Sequence, residues 1–306
     1  MPVLIVGSIA IDHVKTPYKE KQNLLGGSAS YAAIAASFFS PVQLVGVVGE
    51  DFPEKYRSLL ASRLVSLEGL QIAKGKTFRW SGIYHSNMDR RTTLATRPNV
   101  LQNFSPTLPE VYQTTPYVLL ANVAPSLQHH TLDQVKSPLF VVASTMDFWI
   151  KKAKKALLSL LRRVNMLIVN EHEVQELTGA TNLICAGHLI LKMGPEFVVL
   201  SKGEHGALLF SKSSLFSCPA YPLETVYDPT GAGDTFAGGV IGYLASICNE
   251  KNSSKITFEK LRLAVVYGTI LASFSVEAFS LGRLHALTQP DIEKRYNSLH
   301  ALSQFP

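Results

Sequence analysis

Residues 228–239 read Asp-Pro-Thr-Gly-Ala-Gly-Asp-Thr-Phe-Ala-Gly-Gly, DPTGAGDTFAGG. Pro229 ends an extended run, and a helix is expected from about Asp234 through Ala245. Between them Gly231, Ala232 and Gly233 leave their N–H groups sterically open at the positive end of that helix. Such a turn is an anion hole. Spacing excludes two familiar phosphate loops: the first glycine of a P-loop ending in Gly75-Lys76-Thr77 would fall on Leu70, and the third glycine of a dinucleotide fingerprint on Phe236. Asp234 at the lip of the hole repels a phosphate, so its presence needs a reason. A carboxylate there is placed to take a proton from a hydroxyl attacking a phosphoryl group, and aspartate is also a favoured helix cap. One position can serve both roles.

The rest of the chain supplies the context that such a loop requires. Short apolar, β-branched runs alternate with helical patterns: VLIVGS then 28–38, QLVGVVG then 54–67, YVLLAN then 126–135, LFVVAS then 151–163, MLIVN then 171–178 and 182–192, and FVVLSKG and ALLF before a long helical third. This pattern predicts an α/β, three-layer fold, with a mostly parallel central sheet and helices on both faces. Ligands in such sheets sit beyond the C-terminal strand ends, where loops turn into helices. The alternation breaks at TFRWSGIYHSNMDRRTTLAT (77–96), which reads as two strands and a turn. Phe78, Trp80, Gly82 and Tyr84 share one face of the first strand; Thr77, Arg79, Ser81 and Ile83 share the other. Either a lid over a site or an edge hairpin packed on the core fits this segment.

Composition narrows the class further. The chain has 306 residues, 46% hydrophobic and 17% charged, without repeats, low-complexity tracts or linker-like stretches, so a single domain over 1–306 is expected. VLIVGSIAI is too short to span a bilayer and lacks a basic flank, which favours a buried first strand and a cytoplasmic protein. Cys185, Cys218 and Cys248 have no zinc-like spacing. The net charge of +6 is concentrated in KKAKKALLSLLRR (151–163). There Ala153, Ala156, Leu157, Leu160 and Leu161 form one helical stripe and the bases the opposite, solvated face. No aromatics interleave with these charges, so neither a nucleic acid nor a membrane is expected as partner.

GAGD within DPTGAGDTFAGG resembles the C-terminal signature of the ribokinase, or PfkB, family of carbohydrate and nucleoside kinases. Further segments resemble that family in the expected order: GSIAIDH (7–13), LLGGSASYAA (24–33), NEHE (170–173) and SKGEHGA (201–207). The resemblance implies a ribokinase-like fold whose small β lid, formed by segments near 13–25 and 71–97, closes over the acceptor. It implies an ATP-dependent kinase that phosphorylates a hydroxyl of a sugar or sugar-like molecule, with a nucleoside as the runner-up acceptor and a non-catalytic binder as a weaker alternative. Asp234 would be the general base, with Gly231, Ala232 and Gly233 as the anion hole. Asp12, Gly26, Gly27, Ser28 and Tyr31 would line the acceptor site. Asn170, Glu173, Ser201, Gly203, Thr230 and Tyr267 would lie at the nucleotide. Mg2+ would be held by Glu173 through water, and K+ is a candidate beside Asp228. A monomer or homodimer is expected.

Simpler readings stand beside these. Asp12 fits a loop cap as well as a pair of sugar hydroxyls, Asn170 and Glu173 fit a first helical turn, and Tyr267 fits a core helix. The chain also departs from ribokinase proper. Ala10 and Tyr31 replace asparagines, Ser28 replaces a lysine, and Val123 aligns less surely with a sugar-binding glutamate. The acceptor pocket has lost polar contacts and gained a ring, so free ribose is not expected to be the best acceptor.

Overall fold

The computed structural model describes residues 1–88, 91–248 and 255–304. Asp89 and Arg90, within the expected lid, lie outside the described residues. The first part of the chain forms β1 (Val3–Val6), β2 (Ala10–Lys15), β3 (Glu20–Gly26), α1 (Ser28–Ala36), β4 (Val42–Gly49), α2 (Glu54–Ala61), β5 (Val65–Ala73), β6 (Phe78–Tyr84) and β7 (Arg91–Arg97). The middle forms β8 (Tyr117–Leu120), α3 (Pro125–Gln134), β9 (Phe140–Ser144), α4 (Asp147–Lys152), α5 (Lys154–Leu161), β10 (Met166–Asn170), α6 (Glu171–Thr178) and α7 (Leu183–Leu191). The last part forms β11 (Phe197–Ser201), β12 (Ala207–Phe210), β13 (Leu215–Cys218), α8 (Ala232–Ile247), α9 (Phe258–Ser275), α10 (Gly282–Ala286) and α11 (Gln289–Leu302).

Nine of these strands make one sheet in the order β13-β12-β11-β10-β9-β8-β1-β4-β5, parallel except for β12 and β13. Its apolar runs are continuous because both faces are covered. Along β1, Val3 and Ile5 enter one core with α1, α8 and α9, while Leu4 and Val6 enter the other with α5, α6 and α7. The remaining strands form a separate sheet, β3-β2-β6-β7, with β2 parallel to β6 and antiparallel pairs on either side.

Four expectations change. The helix expected over 54–67 stops at Ala61, and Val65–Ala73 becomes an edge strand parallel to β4. Val65 and Gly69 are buried while Ser66 and Glu68 are exposed, a period of two that the helical reading overlooks. Residues 71–73 therefore belong to the main sheet and not to the lid segment expected from 71. The basic helix is broken at Ala153 (φ −133°, ψ 29°) into α4 and α5, although Leu157, Leu160 and Leu161 are buried and the lysines exposed, as their spacing implies. The C-terminal helix of the signature begins earlier than Asp234, at Ala232.

The position of that helix, α8, is set by how closely it approaches α1. Every residue of α1 is buried, and most are alanine or serine. A Cβ at Gly238 would lie 2.2 Å from the Ala32 carbonyl oxygen, and one at Gly242 would lie 2.6 Å from Ala36 Cα. Two helix backbones meet there with no room for side chains, which fixes where the N-terminus of α8 points. Gly242→Leu is accordingly expected to cost at least about 1–3 kcal/mol, the usual cost of overfilling a packed core. Urea unfolding measures it, and an unchanged midpoint would show that the helices can separate freely.

Candidate active site

The loop before α8 is held by contacts made within the chain. Gly231 is the N-cap, with φ +76°, and a Cβ there would lie 2.4 Å from the buried Tyr31 ring. Only glycine tolerates both the left-handed backbone and the ring beneath it. Gly233 has room above it and no positive φ, so the strain falls on Gly231 instead. Asp228 is buried, accepting from Thr230 N–H (2.9 Å) and from Ser280 N–H (3.1 Å). The expected neighbour of a monovalent cation thus has one backbone dipole on each oxygen. Ser280 Oγ in turn donates to the Leu25 carbonyl, which ties this loop to the end of β3.

These braces leave the first turn of α8 open. Ala232 N–H donates to the Pro229 carbonyl (3.2 Å) and Thr235 N–H to Gly231 (2.8 Å), but the N–H groups of Gly231, Gly233 and Asp234 have no acceptor among the described residues. Of the expected Gly231-Ala232-Gly233 set, the Ala232 N–H is engaged within the loop and those of Gly231 and Gly233 are open. Asp234 is in the first turn but is not the cap, and its carboxylate has no hydrogen-bond partner among the described residues. Burial pushes its pKa up to about 6, against the pull of Arg91.

Asp12, on β2, faces the same place. Its carboxylate is buried, and Oδ1 has no partner among the described residues. A Cβ on Gly26 would lie 1.8 Å from Asp12 Oδ2, so Gly26 provides the space for this side chain. Burial, then the charges of Asp228 and Asp234, push the Asp12 pKa up to about 8, with Arg91 opposing. A buried, unpaired acceptor of this kind is costly unless a ligand hydroxyl completes it. Tyr31 lies among Asp228, Asp12, Tyr84 and Asp234, whose charges add to burial in raising its pKa.

Not every expected acceptor contact is free. Gly27, with φ +90°, caps α1 and packs against the Ser8 carbonyl. Ser28 Oγ donates to the Asn122 carbonyl (3.2 Å) and pairs with Ser8 Oγ (3.1 Å), so its hydroxyl is spent inside the protein. Asn170 and Glu173 form a capping box on α6, the simpler of their two readings: Glu173 N–H donates to Asn170 Oδ1 and Asn170 N–H to Glu173 Oε2, both at 2.9 Å. Glu173 nonetheless belongs to the acidic cleft. Burial pushes its pKa up to about 7, with Asp147 and Asp234 adding to the rise.

On the far side of the hole, Ser201, Gly203, Ala232 and Gly233 line one cavity of about 470 Å3, together with Thr269 and Ala272 of α9. Tyr267 does not line it. It stacks between Tyr243 (ring centroids 3.9 Å apart) and Tyr296 (5.1 Å), on the opposite side of α9. Thr230 directs its hydroxyl to Tyr84 Oη (3.3 Å).

The four-stranded sheet turns its aromatic face to this cleft. Trp80 lies opposite Asp12 in the β2–β6 register and packs over Gly82, where a Cβ would lie 2.3 Å from the indole. Trp80, Tyr84, Leu24, Met88 and Phe279 form a small apolar cluster, whereas Arg79 is on the other face, paired with Asp51 (2.9 Å). Sequence reasoning left this orientation open and did not single out Arg91 or Asp147.

A PfkB carbohydrate-kinase family model matches residues 2–285. The chain belongs to that family. Within it, a cytidine kinase from Thermococcus kodakarensis is 30% identical over 251 residues, 79% of this chain and 88% of its own. Among solved structures, Burkholderia thailandensis nucleoside kinase in complex with inosine superposes with a TM-score of 0.75, at 19% identity over 98% of both chains. Aminoimidazole riboside kinase from Salmonella enterica, with its riboside and an ATP analogue, gives 0.74 at 17% identity over 97% of this chain and 100% of its own. The PfkB fold and kinase class follow. No helix among the described residues is long and apolar enough to cross a membrane.

The raised pKa of Asp12 has a consequence for stability. Because its folded-state value of about 8 exceeds the ordinary aspartate value of 3.8, the folded chain holds this proton more tightly than the unfolded chain does. Stability is therefore lost as pH rises from about 4 to about 8. Asp12→Asn should raise Tm by about 2–5 °C at pH 8 and hardly at all at pH 4.5. Calorimetry at the two pH values measures it, and an equal shift at both would refute the linkage.

Proposed function

We propose that this kinase transfers the γ-phosphoryl group of ATP to a hydroxyl on the sugar of a nucleoside, with Asp234 as general base. The observation that carries the chemistry is the first turn of α8: unengaged N–H groups beside an unpaired carboxylate, facing the unpaired Asp12. Asp12 would accept hydrogen bonds from vicinal sugar hydroxyls and hold the attacking oxygen near Asp234. That oxygen bonds to the γ-phosphorus as the bond from phosphorus to the bridging oxygen breaks, the electron pair leaves on ADP, and the hydroxyl proton passes to Asp234. The N–H groups of Gly231, Gly233 and Asp234 would hold the charge spread over the transferring oxygens. The nucleotide would occupy the cavity bordered by Ser201 and Gly203.

Glu173 spends one oxygen on its capping N–H, and Asp147 has no hydrogen bond among the described residues. The described residues contain no cluster of three such side chains that closes around a metal. This donor set suits Mg2+ held through water, where it would neutralise phosphate charge.

Trp80 supports a nucleoside over a simple sugar as the acceptor. A sugar bound by Asp12 is one cross-strand step from an indole, which offers a base a surface to stack on. The sequence alone leans towards a simple sugar; the inward aromatic face favours a nucleoside.

Asp234→Asn should lower kcat by about 10²- to 10⁴-fold with nucleotide binding intact. The wild-type rate should fall as pH drops below about 6, where the base is protonated. A near-normal rate in the variant, with both substrates saturating, would overturn the assignment. On a panel of ribose, other sugars and nucleosides, nucleosides should give the highest kcat/KM. Trp80→Ala should lower kcat/KM for the best nucleoside by about 10-fold or more, since a stacked base is worth about 1–3 kcal/mol, while leaving ribose nearly unchanged. Ribose ranking first would refute the choice of acceptor and leave the kinase class standing.

A further inference from the structure

We propose that Arg295 of α11 is a positioning residue for the nucleotide, bracing the Tyr221 ring on which the base stacks. The inference rests on the reading above that the cavity beside Gly233 takes ATP. Tyr221 lines that cavity, in the stretch between β13 and α8. From Ala220 to Val226 no backbone N–H of this stretch makes a hydrogen bond among the described residues. The Tyr221 side chain is its anchor. The Arg295 guanidinium carbon lies 4.6 Å from the centre of the Tyr221 ring, and the Tyr221 hydroxyl is 3.5 Å from Ser298 Oγ, also on α11. A cation on one face of a ring is attracted by the ring's quadrupole and holds it in place. Both partners lie beyond residues 2–285, the part of the chain that the family model matches.

Arg295 can act as a brace because it is itself fixed. Its Nη1 donates to Ser273 Oγ (3.0 Å), its Nη2 donates to Glu277 Oε1 (2.6 Å), and its guanidinium carbon is 3.4 Å from the centre of the Phe274 ring. Arg283 donates to the other oxygen of Glu277 (3.1 Å). A planar fork held by two acceptors and a ring has little freedom to turn, and a lysine would not reproduce it. Ser273 gives Arg295 a second link to the cavity, which it lines with Thr269. Ser273 Oγ donates to the Ile270 carbonyl (2.7 Å) and Thr269 Oγ1 to the Val265 carbonyl (2.9 Å), so neither hydroxyl keeps a proton for the edge of a base. Phe236, Ala272 and Val276 add apolar lining. The cavity therefore holds the base by its face, and every base has a π face to stack.

The test is calorimetry with Mg2+, comparing ADP with inorganic tripolyphosphate, which carries no base. Tyr221→Ala should weaken ADP about 10-fold or more, the worth of one stacked base, and leave tripolyphosphate within about twofold of wild type. Arg295→Ala should weaken ADP in the same way, and Arg295→Lys, which keeps the charge without the planar fork, should recover only part of the loss. Tyr221→Phe keeps the ring and should bind ADP as the wild type does. GDP should bind the wild type within about 10-fold of ADP, because stacking does not read the base edge. With the best acceptor, Arg295→Ala should raise KM for ATP about 10-fold with kcat within about threefold, a split that general loosening of the fold would not produce. Tyr221→Ala leaves the Arg295–Glu277 pair in place, so it judges the base site even where Arg295→Ala folds poorly. A wild-type chain that binds neither ADP nor tripolyphosphate would defeat the proposed function along with the inference. ADP bound equally by wild type and Tyr221→Ala, or ADP and tripolyphosphate weakened alike in Arg295→Ala, would overturn the inference alone. So would GDP bound more than about 100-fold more weakly than ADP, the mark of recognition through the base edge.

Discussion

The close contact between α8 and α1 is the constraint on which the site depends. An anion hole needs N–H groups aimed to within a fraction of an ångström, and a helix seated on side chains can settle at several heights. Here Gly238 and Gly242 rest on the backbone of Ala32 and Ala36, so the height of α8 is set by main chain against main chain. The same α1 carries Tyr31, whose ring supports Gly231 from below. One buried helix of small residues thus fixes both the axis of the hole and the position of its cap. Asp228 and Ser280 complete the frame by joining the loop to β3.

Within that frame the cleft gathers carboxylates that water would otherwise keep apart. Asp12, Glu173 and Asp234 all have raised pKa values, and burial is the largest cause in each. Such a group holds its proton until a ligand or counter-ion replaces the lost water, so the site is most at odds with itself when empty. In the proposed function, substrate hydroxyls at Asp12 and a divalent cation near Glu173 would each relieve part of that conflict.

Much of this was legible in the sequence because the relevant signals are local. The β-branched runs give the parallel strands, and the spacing of Gly231, Ala232, Gly233 and Asp234 marks a helix start with open N–H groups. Reading stopped where register and packing decide. Val65–Ala73 lies next to helix-forming residues, and only the open edge of β4 shows that it is a strand. Ser28 looks available until its hydroxyl is found spent on Ser8 and Asn122. Tyr267 falls on the helix that borders the cavity beside Gly233, but about half a turn separates the face that lines it from the face that stacks on Tyr243.

The space above Gly26 ties two positions together across generations as well as across the fold. The Asp12 carboxylate occupies the volume that any side chain at position 26 would need. A lineage that gains a side chain there must first give up the acid or move the strand, and one that has lost the acid no longer has reason to keep the glycine. The two sites should therefore drift as a pair, with no viable intermediate of large residue and carboxylate together. The room that the Asp12 carboxylate occupies is thus kept open by a residue with no side chain of its own.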